Sequence, residues 1–511
     1  MAVFDFIRKR NPDSVEKPRA NIRGKRSYAA ARGGRLFSDF LGSSNSADAE
    51  LRNSLETMRN RSRELIRDNE FARRYINLLK TNVVGDTGFK LQVKARNQPA
   101  NVLDQIGNAS IESAFARWGR LGNPTSDGKL SWIDCQKYVI EALARDGEVF
   151  INKLTGPKYK DGFTLQFLEA ELIDTDKNES LPNGHSIRMG IEISEAHKPI
   201  AYYVKNGHPG DRFYASNRDN KNIRVPAEQI LHIYMPSRTH QTRGEPFMVS
   251  SMSAMKHLAA YREAEVVAAR IASSTMGMFT TPADDFVGDA ESEDGNTPYI
   301  DATPGSFHQL PAGYDLKMFD PDHPNTGFAE FESQMLKGIA SGLNVSYAAL
   351  SSDLSSVNYS SIRQGALDER DGYRSLQMFM IEHFCQPIFS HWLQSAMDFG
   401  SMDIPASRFD KFNDASVFRG RGWNWIDPAK EMSASIMGLN NGLMSMSDVA
   451  ANSGRDVEEI FSQVSRDKEL AKQFGIEIQF EPFGGWPLYT SDASDKPLRV
   501  APCGYGIPKQ K

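Results

Sequence analysis

The stretch that most restricts what this chain can become begins at Glu245-Pro246 and meets no further glycine or proline until Gly277. A proline suits the first turn of a helix, where its missing N–H costs nothing. The run is roughly 30 residues long, which as α-helix spans roughly 45 Å. Its apolar positions (Met248, Met252, Met255, Leu258, Ala259, Val266, Ile271) are only loosely periodic, and alanines fill the gaps at Ala254, Ala260, Ala264, Ala268, Ala269 and Ala272. A helix so long and so poor in large side chains buries little against its own chain. It either threads the core of a large domain or packs closely against neighbouring copies.

The pattern breaks after Gly277. Between Phe279 and Pro324 lie Asp284, Asp285, Asp289, Glu291, Glu293 and Asp294 with no base among them, then Gly295, Pro304, Gly305, Pro311 and Gly313. Short apolar pieces at Tyr299-Ile300, Ser306 to Leu310 and Leu316 to Phe319 read as small strands in an exposed protrusion. The acids do not make a calcium loop, because Asp294 stands where a glycine is required and Ile300 where a bidentate glutamate is. Helical spacing resumes after Asn325-Thr326, which can cap, through Phe328, Phe331, Met335, Leu336, Ile339 and Leu343. Leu350 to Ser361 is then too polar and serine-rich to pack. Beyond it, Ile362 to Ala396 reads as a second long helix, charged in its first half and bent at Pro387. Its second half carries the stripe Leu376, Phe379, Met380, His383, Phe384, Ile388 and Leu393.

At 511 residues the chain exceeds a single core, which stops growing at roughly 250 to 300 residues. Ten Lys and Arg against three acids in the first 36 residues mark a basic tail without structure of its own. Ala49 to Lys80 reads as helix; its arginines (Arg59, Arg61, Arg63, Arg67, Arg73, Arg74) have acidic neighbours at Glu56, Glu64, Asp68 and Glu70, so a solvated face is expected. Next come a strand pair at Val83 to Val93 around Gly85-Asp-Thr-Gly88 and helices over Ala100 to Gly119 and Ser131 to Arg145. Strands over Glu148 to Leu154, Phe163 to Ile173, Ile187 to Ile193, Pro199 to Val204 and Ile230 to Met235 make residues 80 to 245 an α+β unit with an antiparallel sheet. Toward the C-terminus, Pro428 to Asn440 and Ser447 to Phe474 read as helices, and Gly475 to Lys511 as an extended tail. No run approaches the roughly 18 apolar residues of a membrane helix, and Met1 to Arg10 has no signal-peptide core, so the expected location is the cytoplasm where the chain is made. Cys135, Cys385 and Cys503 are too scattered for a disulfide framework or zinc cluster.

The order helix, protrusion, helix, Ser/Asn loop, kinked helix resembles the portal proteins of tailed bacteriophages, and the wording of several stretches is similar to the lambda-type portal family. Those stretches include Arg67-Asp-Asn-Glu-Phe-Ala-Arg-Arg-Tyr75, Asn82-Val-Val-Gly-Asp-Thr-Gly88, Asp146-Gly-Glu-Val-Phe150 and Ile191-Glu-Ile-Ser-Glu-Ala-His-Lys-Pro-Ile-Ala-Tyr-Tyr203. Further on come His232, Arg243-Gly-Glu-Pro246, Pro304-Gly-Ser306, Leu354-Ser-Ser-Val-Asn-Tyr-Ser-Ser361 and Trp423-Asn-Trp-Ile-Asp-Pro428. The resemblance implies a portal fold of class α+β, with an α/β wing, long stem helices, a small clip and a helical crown, assembled into a dodecameric ring. Residues 1–48 would be a basic tail, 49–245 the wing, 246–278 and 324–344 the stem helices, and 279–323 the clip between them. Residues 345–426 would be the channel loop and long kinked wing helix, 427–474 the crown and 475–511 an extended tail.

The same resemblance implies a role at one capsid vertex, where the ring passes double-stranded genome DNA during packaging and ejection and nucleates procapsid assembly. Implied partners are the terminase large subunit, head-tail completion proteins, major capsid and scaffolding proteins; the implied location is the virion, after assembly in host cytoplasm. Leu354, Ser355, Ser356, Val357, Asn358, Tyr359 and Ser360 would face the DNA, and Asp284, Asp285, Asp289, Glu291, Glu293 and Asp294 would dock the motor or adaptor. Lys256, Arg262, Arg270, Glu330 and Lys337 would belong to the stem. No catalytic residue, metal or cofactor is implied. A formal net charge of −5 suits a chain past which DNA slides better than one that grips phosphates.

The residues offer little other chemistry. No G-x-x-x-x-G-K-[ST] loop, G-x-G-x-x-G after a strand, G-x-S-x-G elbow or H-E-x-x-H occurs, so no motif makes the chain its own packaging ATPase. Glu382-His383 with Cys385 and His391 has metal-ligand residue types, but His383 lies on the apolar stripe and Pro387 intervenes, so a packed helix is expected. Glu169, Glu171, Asp174 and Asp176 at the end of a predicted strand leave open a metal-dependent nuclease. A monomeric DNA-binding protein, with steeply salt-dependent affinity, is the other alternative.

Overall fold

Side-chain caps set where the first helices begin and end. The computed structural model describes residues 44–211, 222–273, 277–280, 315–318, 327–355, 359–423, 428–452 and 454–476. Ser46 caps Ala47–Arg52. Asn69 accepts from the N–H groups of Phe71 and Ala72, which splits the expected single helix into Leu55–Asp68 and Glu70–Leu79. Ser131 and Asp134 form a reciprocal capping box at the head of Trp132–Asp146, and Gly147, left-handed at φ 86°, closes it.

The hairpin expected at Val83 to Val93 does not form. Val83 and Val84 finish a wide π-turn, Lys80–Val84, and are fully buried, so they are spent on the core. Lys90–Val93 pairs instead with Ser416–Arg419 from near the other end of the chain, antiparallel. The expected α+β character holds, with two larger antiparallel sheets among the described residues. One has three strands in the order Ile230–Tyr234, Glu148–Thr155, Phe163–Leu168; the other has five, Asn222–Pro226, Pro199–Lys205, Ile191–Ile193, Ser186–Arg188, Glu179–Ser180. The strand expected through Ile173 stops at Leu168, where Ala170–Leu172 takes a 3₁₀ turn.

The largest core gathers around the mutually packed rings of Phe115, Trp118, Trp132, Phe389 and Trp392. Tyr359–Met380 continues without a break through a second π-turn, Ile381–Cys385, into Gln386–Asp398. That wide turn ends just before Pro387, whose ring would crowd the carbonyl of an ordinary preceding turn and which lacks the N–H to bond it. The helix therefore passes its proline and keeps Phe384, Ile388, Trp392 and Leu393 fully buried.

The long helix runs over Val249–Ser273. Met252, Met255 and Leu258 near its start are buried, whereas Val266 and Val267 are about half exposed, at 52% and 46%. Gly277–Thr280 is strand rather than helix and pairs antiparallel with Asp315–Met318, close to the small strand expected at Leu316 to Phe319. The companion helix, Phe328–Gly342, buries Leu336, Ile339 and Ala340 and sets Phe328 and Phe331 against Tyr261, with ring centroids 5.7 and 4.8 Å away. No residue of Pro428–Asn440 is buried. Gly454, at φ 72°, separates Met446–Asn452 from Val457–Gln473.

Two glycines allow the long helix to start where it does. A Cβ on Gly147 would lie 2.3 Å from the carbonyl carbon of Glu245, and one on Gly244 would lie 2.1 Å from the carbonyl oxygen of Gly147. Gly147→Ala is therefore expected to cost about 3 kcal/mol or more, from left-handed strain plus backbone collision. Denaturant unfolding of the variant beside the wild type measures the loss.

Candidate functional site

The residues of two stretches that the sequence offered only as wording, Asp146 to Phe150 and Arg243 to Pro246, meet at one carboxylate. Glu148 is the first residue of its strand and its side chain is wholly buried. Arg243 Nε lies 2.9 Å from both of its oxygens and Nη2 lies 2.6 Å from Oε1. Arg59 Nη2 donates to Oε1 at 2.7 Å, His232 Nε2 to Oε2 at 3.0 Å, and the Gly244 N–H to Oε2 at 3.2 Å. The donors left over are also used. Arg243 reaches the carbonyls of Met189 and Ala170 at 2.8 and 3.2 Å, and Arg59 reaches Glu171 at 3.2 Å. Arg63 then bonds both Glu171 and Asp146, at 3.0 and 2.7 Å.

Burial alone would push the Glu148 carboxyl up. Arg243, the hydrogen bond from His232 and Arg59 outweigh it and hold the group far below the usual carboxylate range. His232, at the middle of its strand, is stacked between Phe150 and Tyr234 at 4.1 and 4.5 Å. Burial drives its pKa below 6.5 more than Glu148 raises it, so a neutral imidazole donates Nε2–H. The Arg243 guanidinium also lies 5.2 Å from the Phe150 ring centre. A second lock sits beside the first: Asp48 accepts from the N–H of Thr242 at 2.8 Å and from its hydroxyl, and pairs with Arg188 at 3.1 Å. The segment that leads into Pro246 is thus bonded to the first helix, to the first residue of the strand Glu148–Thr155 and to the backbone carbonyls of Ala170 and Met189. The arrangement holds backbone in place; it presents no nucleophile and no exposed acid–base pair.

The solvated arginine face expected on residues 49 to 80 holds for Arg61, Arg67, Arg73 and Arg74, which are exposed, but not for Arg59. Arg59 is 1% exposed, and its acidic partners come from distant elements, not from its own helix. No single residue signals the cluster; the only trace in the sequence is that Glu148, His232 and Arg243 each fall in a stretch that resembles the portal family.

The structure scatters the other candidate sites. Of the four carboxylates weighed as a nuclease set, Glu171 is held by Arg59 and Arg63, and Asp174 by Lys205 and Asn222 at 3.1 and 2.6 Å. Glu169, Glu171 and His208 do bring ligand atoms within 4.8 Å of one another. However, the Gly210 N–H donates to His208 Nδ1 at 3.0 Å, which leaves the proton on Nε2, 3.0 Å from Glu169. A cation would have to displace that proton and face two guanidiniums. Cys385 is fully buried, His383 packs on Phe379, and His391 lies beside Lys153 at 2.6 Å, so those residues do not converge.

Leu354 and Ser355 are exposed in the loop after Tyr347–Ser351, while Ser356, Val357 and Asn358 lie outside the described residues. Tyr359 and Ser360, read as loop from their polarity, begin the helix Tyr359–Met380. Asp284, Asp285, Asp289, Glu291, Glu293 and Asp294 also lie outside the described residues. Arg262 pairs with Glu70 and, at 3.3 Å, with Glu332; Lys256 lies 3.7 Å from Glu64. Arg270, Glu330 and Lys337 are exposed, the last with its ammonium 5.7 Å from the Tyr347 ring centre.

Fold and site together define an α+β protein built around a long helix whose root is locked by buried ions and whose far half is open. The family profile of the phage portal proteins, lambda family, matches residues 33–377, and this chain belongs to that family. The probable portal protein of Halomonas phage phiHAP-1 is 34% identical over 457 residues, covering 88% of each chain. Portal protein B of Escherichia phage lambda is 23% identical over 466 residues, covering 85% of this chain and 87% of its own. A solved chain from the neck of an empty gene transfer agent particle is 12% identical and covers 77% of this chain and 93% of its own, with a TM-score of 0.42.

Glu148→Gln leaves two buried guanidiniums without their shared charge and is expected to cost about 3 to 5 kcal/mol in chemical denaturation. His232 adds a pH dependence. Because its folded pKa lies below the ordinary 6.5, the unfolded chain takes the proton first, so stability is full above 6.5 and declines as pH falls below it. Denaturation midpoints across that range should show the decline in the wild type and a flatter curve in His232→Gln.

Proposed function

We propose that copies of this chain form a dodecameric ring enclosing a channel through which double-stranded DNA enters and leaves a phage capsid at one vertex. The observation that carries the reading is the long helix Val249–Ser273. Its root is buried against its own chain, yet beyond Leu258 the residues Ala259, Ala260, Ala264, Val266 and Val267 are exposed. A helix stripped of bulk on an open shaft suits close packing between copies, and membership of the lambda portal family supports the same destination. Pro428–Asn440 repeats the pattern with Met432, Ile436 and Met437 uncovered.

In this reading residues 49–245 form the wing, 246–278 and 324–344 the stem, 279–323 the clip and 427–474 the crown. The loop from Leu354 to Asn358 and the helix start at Tyr359-Ser360 line the narrowest part of the channel. Asp353, the one charge beside them, is drawn into hydrogen bonds with Tyr347 and Ser355 at 2.9 and 2.6 Å. What remains to meet a phosphate backbone is mainly hydroxyl and amide, which contact it without gripping it or reading bases. The acidic run from Asp284 to Asp294 serves docking of the terminase large subunit and head-tail completion proteins. The ring nucleates procapsid assembly with capsid and scaffolding proteins, and it stays in the virion.

Negative-stain images of the purified chain test the reading: annular particles with a central hole are expected, and a lone globule would contradict it. Deleting Leu354 to Ser360 should leave the rings intact and shorten the length of genome retained. Unchanged packaging would remove the loop from the channel.

A further inference from the structure

A groove of about 680 Å³ opens beside the root of the long helix, between the residues that lead into it, the end of Phe328–Gly342 and the second half of Tyr359–Met380. Met235, Pro236, Phe247, Val249, Val345 and Leu376 make its lining mainly apolar. Met235 and Pro236 stand exposed at the rim. Ser250 and Ser251 tie the long helix to its companion, donating to the carbonyls of Gly342 and Ile339 at 2.9 and 3.1 Å. The Ser346 N–H ties the companion's exit to Tyr359–Met380 by donating to Glu369 at 2.6 Å. The walls are therefore fixed by bonds of their own, and the apolar surface between them is what lacks a cover. A space of this size takes a few large side chains, not a folded domain.

Two carboxylates give the groove a sign. Its lining includes Glu245 and Glu369 and no base, and the half-buried Glu245 carboxylate has no hydrogen bond or ion pair among the described residues. The chain itself arrives at the rim. Arg238, directly after the rim residues Pro236 and Ser237, donates to the Asn45 carbonyl at 3.0 Å, and Gln241 Oε1 accepts from the N–H groups of Ser237 and Arg238 at 3.0 and 3.2 Å. The described structure begins at Ser44, so residues 1–43 depart from this corner. Their nearest apolar piece is Leu36-Phe-Ser-Asp-Phe-Leu41, in which Leu36, Phe37, Phe40 and Leu41 fall at the three- and four-residue steps that share one face of a helix. Arg32 and Arg35 precede it, with the sign the groove calls for. Extended chain covers roughly 3.5 Å per residue, which lets Leu41 reach roughly 10 Å and Leu36 roughly 28 Å from Ser44. The chain beyond Ile476 also carries rings, but Glu477 and Glu481 stand among them, the wrong sign for this groove.

We propose that Leu36 to Leu41 docks in the groove of its own chain, with Phe37 and Phe40 against the apolar walls and Arg35 beside Glu245. The docked segment covers the junction of the long helix, its companion and Tyr359–Met380, and it carries the basic residues ahead of it to that junction. The contact is made within one chain, so it holds whether or not copies form a ring.

The test places a photo-reactive p-benzoylphenylalanine at Phe37 or Phe40 of the full chain and maps the cross-links in a mixture of isotope-labelled and unlabelled chains. Links within one chain to residues 235–249, 343–345 or 372–376 are expected. No link to the groove, or groove links that join a labelled chain to an unlabelled one, would overturn the proposal. A second measurement reads the groove itself. The Leu343 and Val345 N–H groups donate to the carbonyls of Ile339 and Ala340, each at 3.0 Å. In Phe37→Ser/Phe40→Ser they should exchange with deuterium about ten-fold faster, while the strand Phe163–Leu168, which does not line the groove, keeps its rates. Unchanged rates at Leu343 and Val345, or a rise shared by Phe163–Leu168, would count against docking.

Discussion

One buried carboxylate, Glu148, holds together segments that are far apart in the chain. Taking it out of water is costly, and only two arginines, an imidazole and a backbone N–H arriving together offset that cost. Such a joint is all or none. If Arg243 is absent, Arg59 and Glu148 are left with incomplete partners in a dry site; if Glu148 is absent, two cations face each other. The position of the Arg243 to Pro246 segment, and with it the start of the long helix, is therefore specified much more sharply than apolar packing alone would specify it. Gly147 and Gly244 complete the specification by letting the two backbones touch.

The consequence is a contrast along a single element. At its root the long helix is surrounded by its own chain, through Met252, Met255 and Leu258. Farther along it carries valines and alanines in the open, with one flank braced by Tyr261 on Phe328 and Phe331 and by Arg262 on Glu70 and Glu332. A rigid root with an open shaft is what a subunit needs if the shaft is to find its burial between identical neighbours in a fixed direction.

Much of the architecture was legible because it depends on local rules. The absence of breakers between Pro246 and Gly277 marks the long helix, and Pro428–Asn440 has the bounds expected of it. The errors came where distant partners override local pattern. Val83 and Val84 look like the first half of a hairpin but are claimed by a buried π-turn, so Lys90–Val93 finds its partner at Ser416–Arg419. Asn69 cuts a helix whose periodicity continues across it. Arg59 looks solvated because its own helix supplies acids, whereas Glu148 and Glu171 capture it from elsewhere. Tyr359 and Ser360 read as loop from polarity, although their backbone already belongs to the helix Tyr359–Met380. Three-dimensional ion clusters leave no periodic trace in a sequence, which is why the site that anchors the fold was the least visible part of it.

The central claim is that the root of the long helix is secured within each subunit while its far half is secured only between subunits. Amide hydrogen exchange on dilute, unassembled chain and on assembled particles reads both halves at once. The account predicts strong protection of residues 249 to 258 in both samples, and protection of residues 259 to 273 that rises steeply only on assembly. Equal and strong protection of the far half in the isolated chain would contradict it.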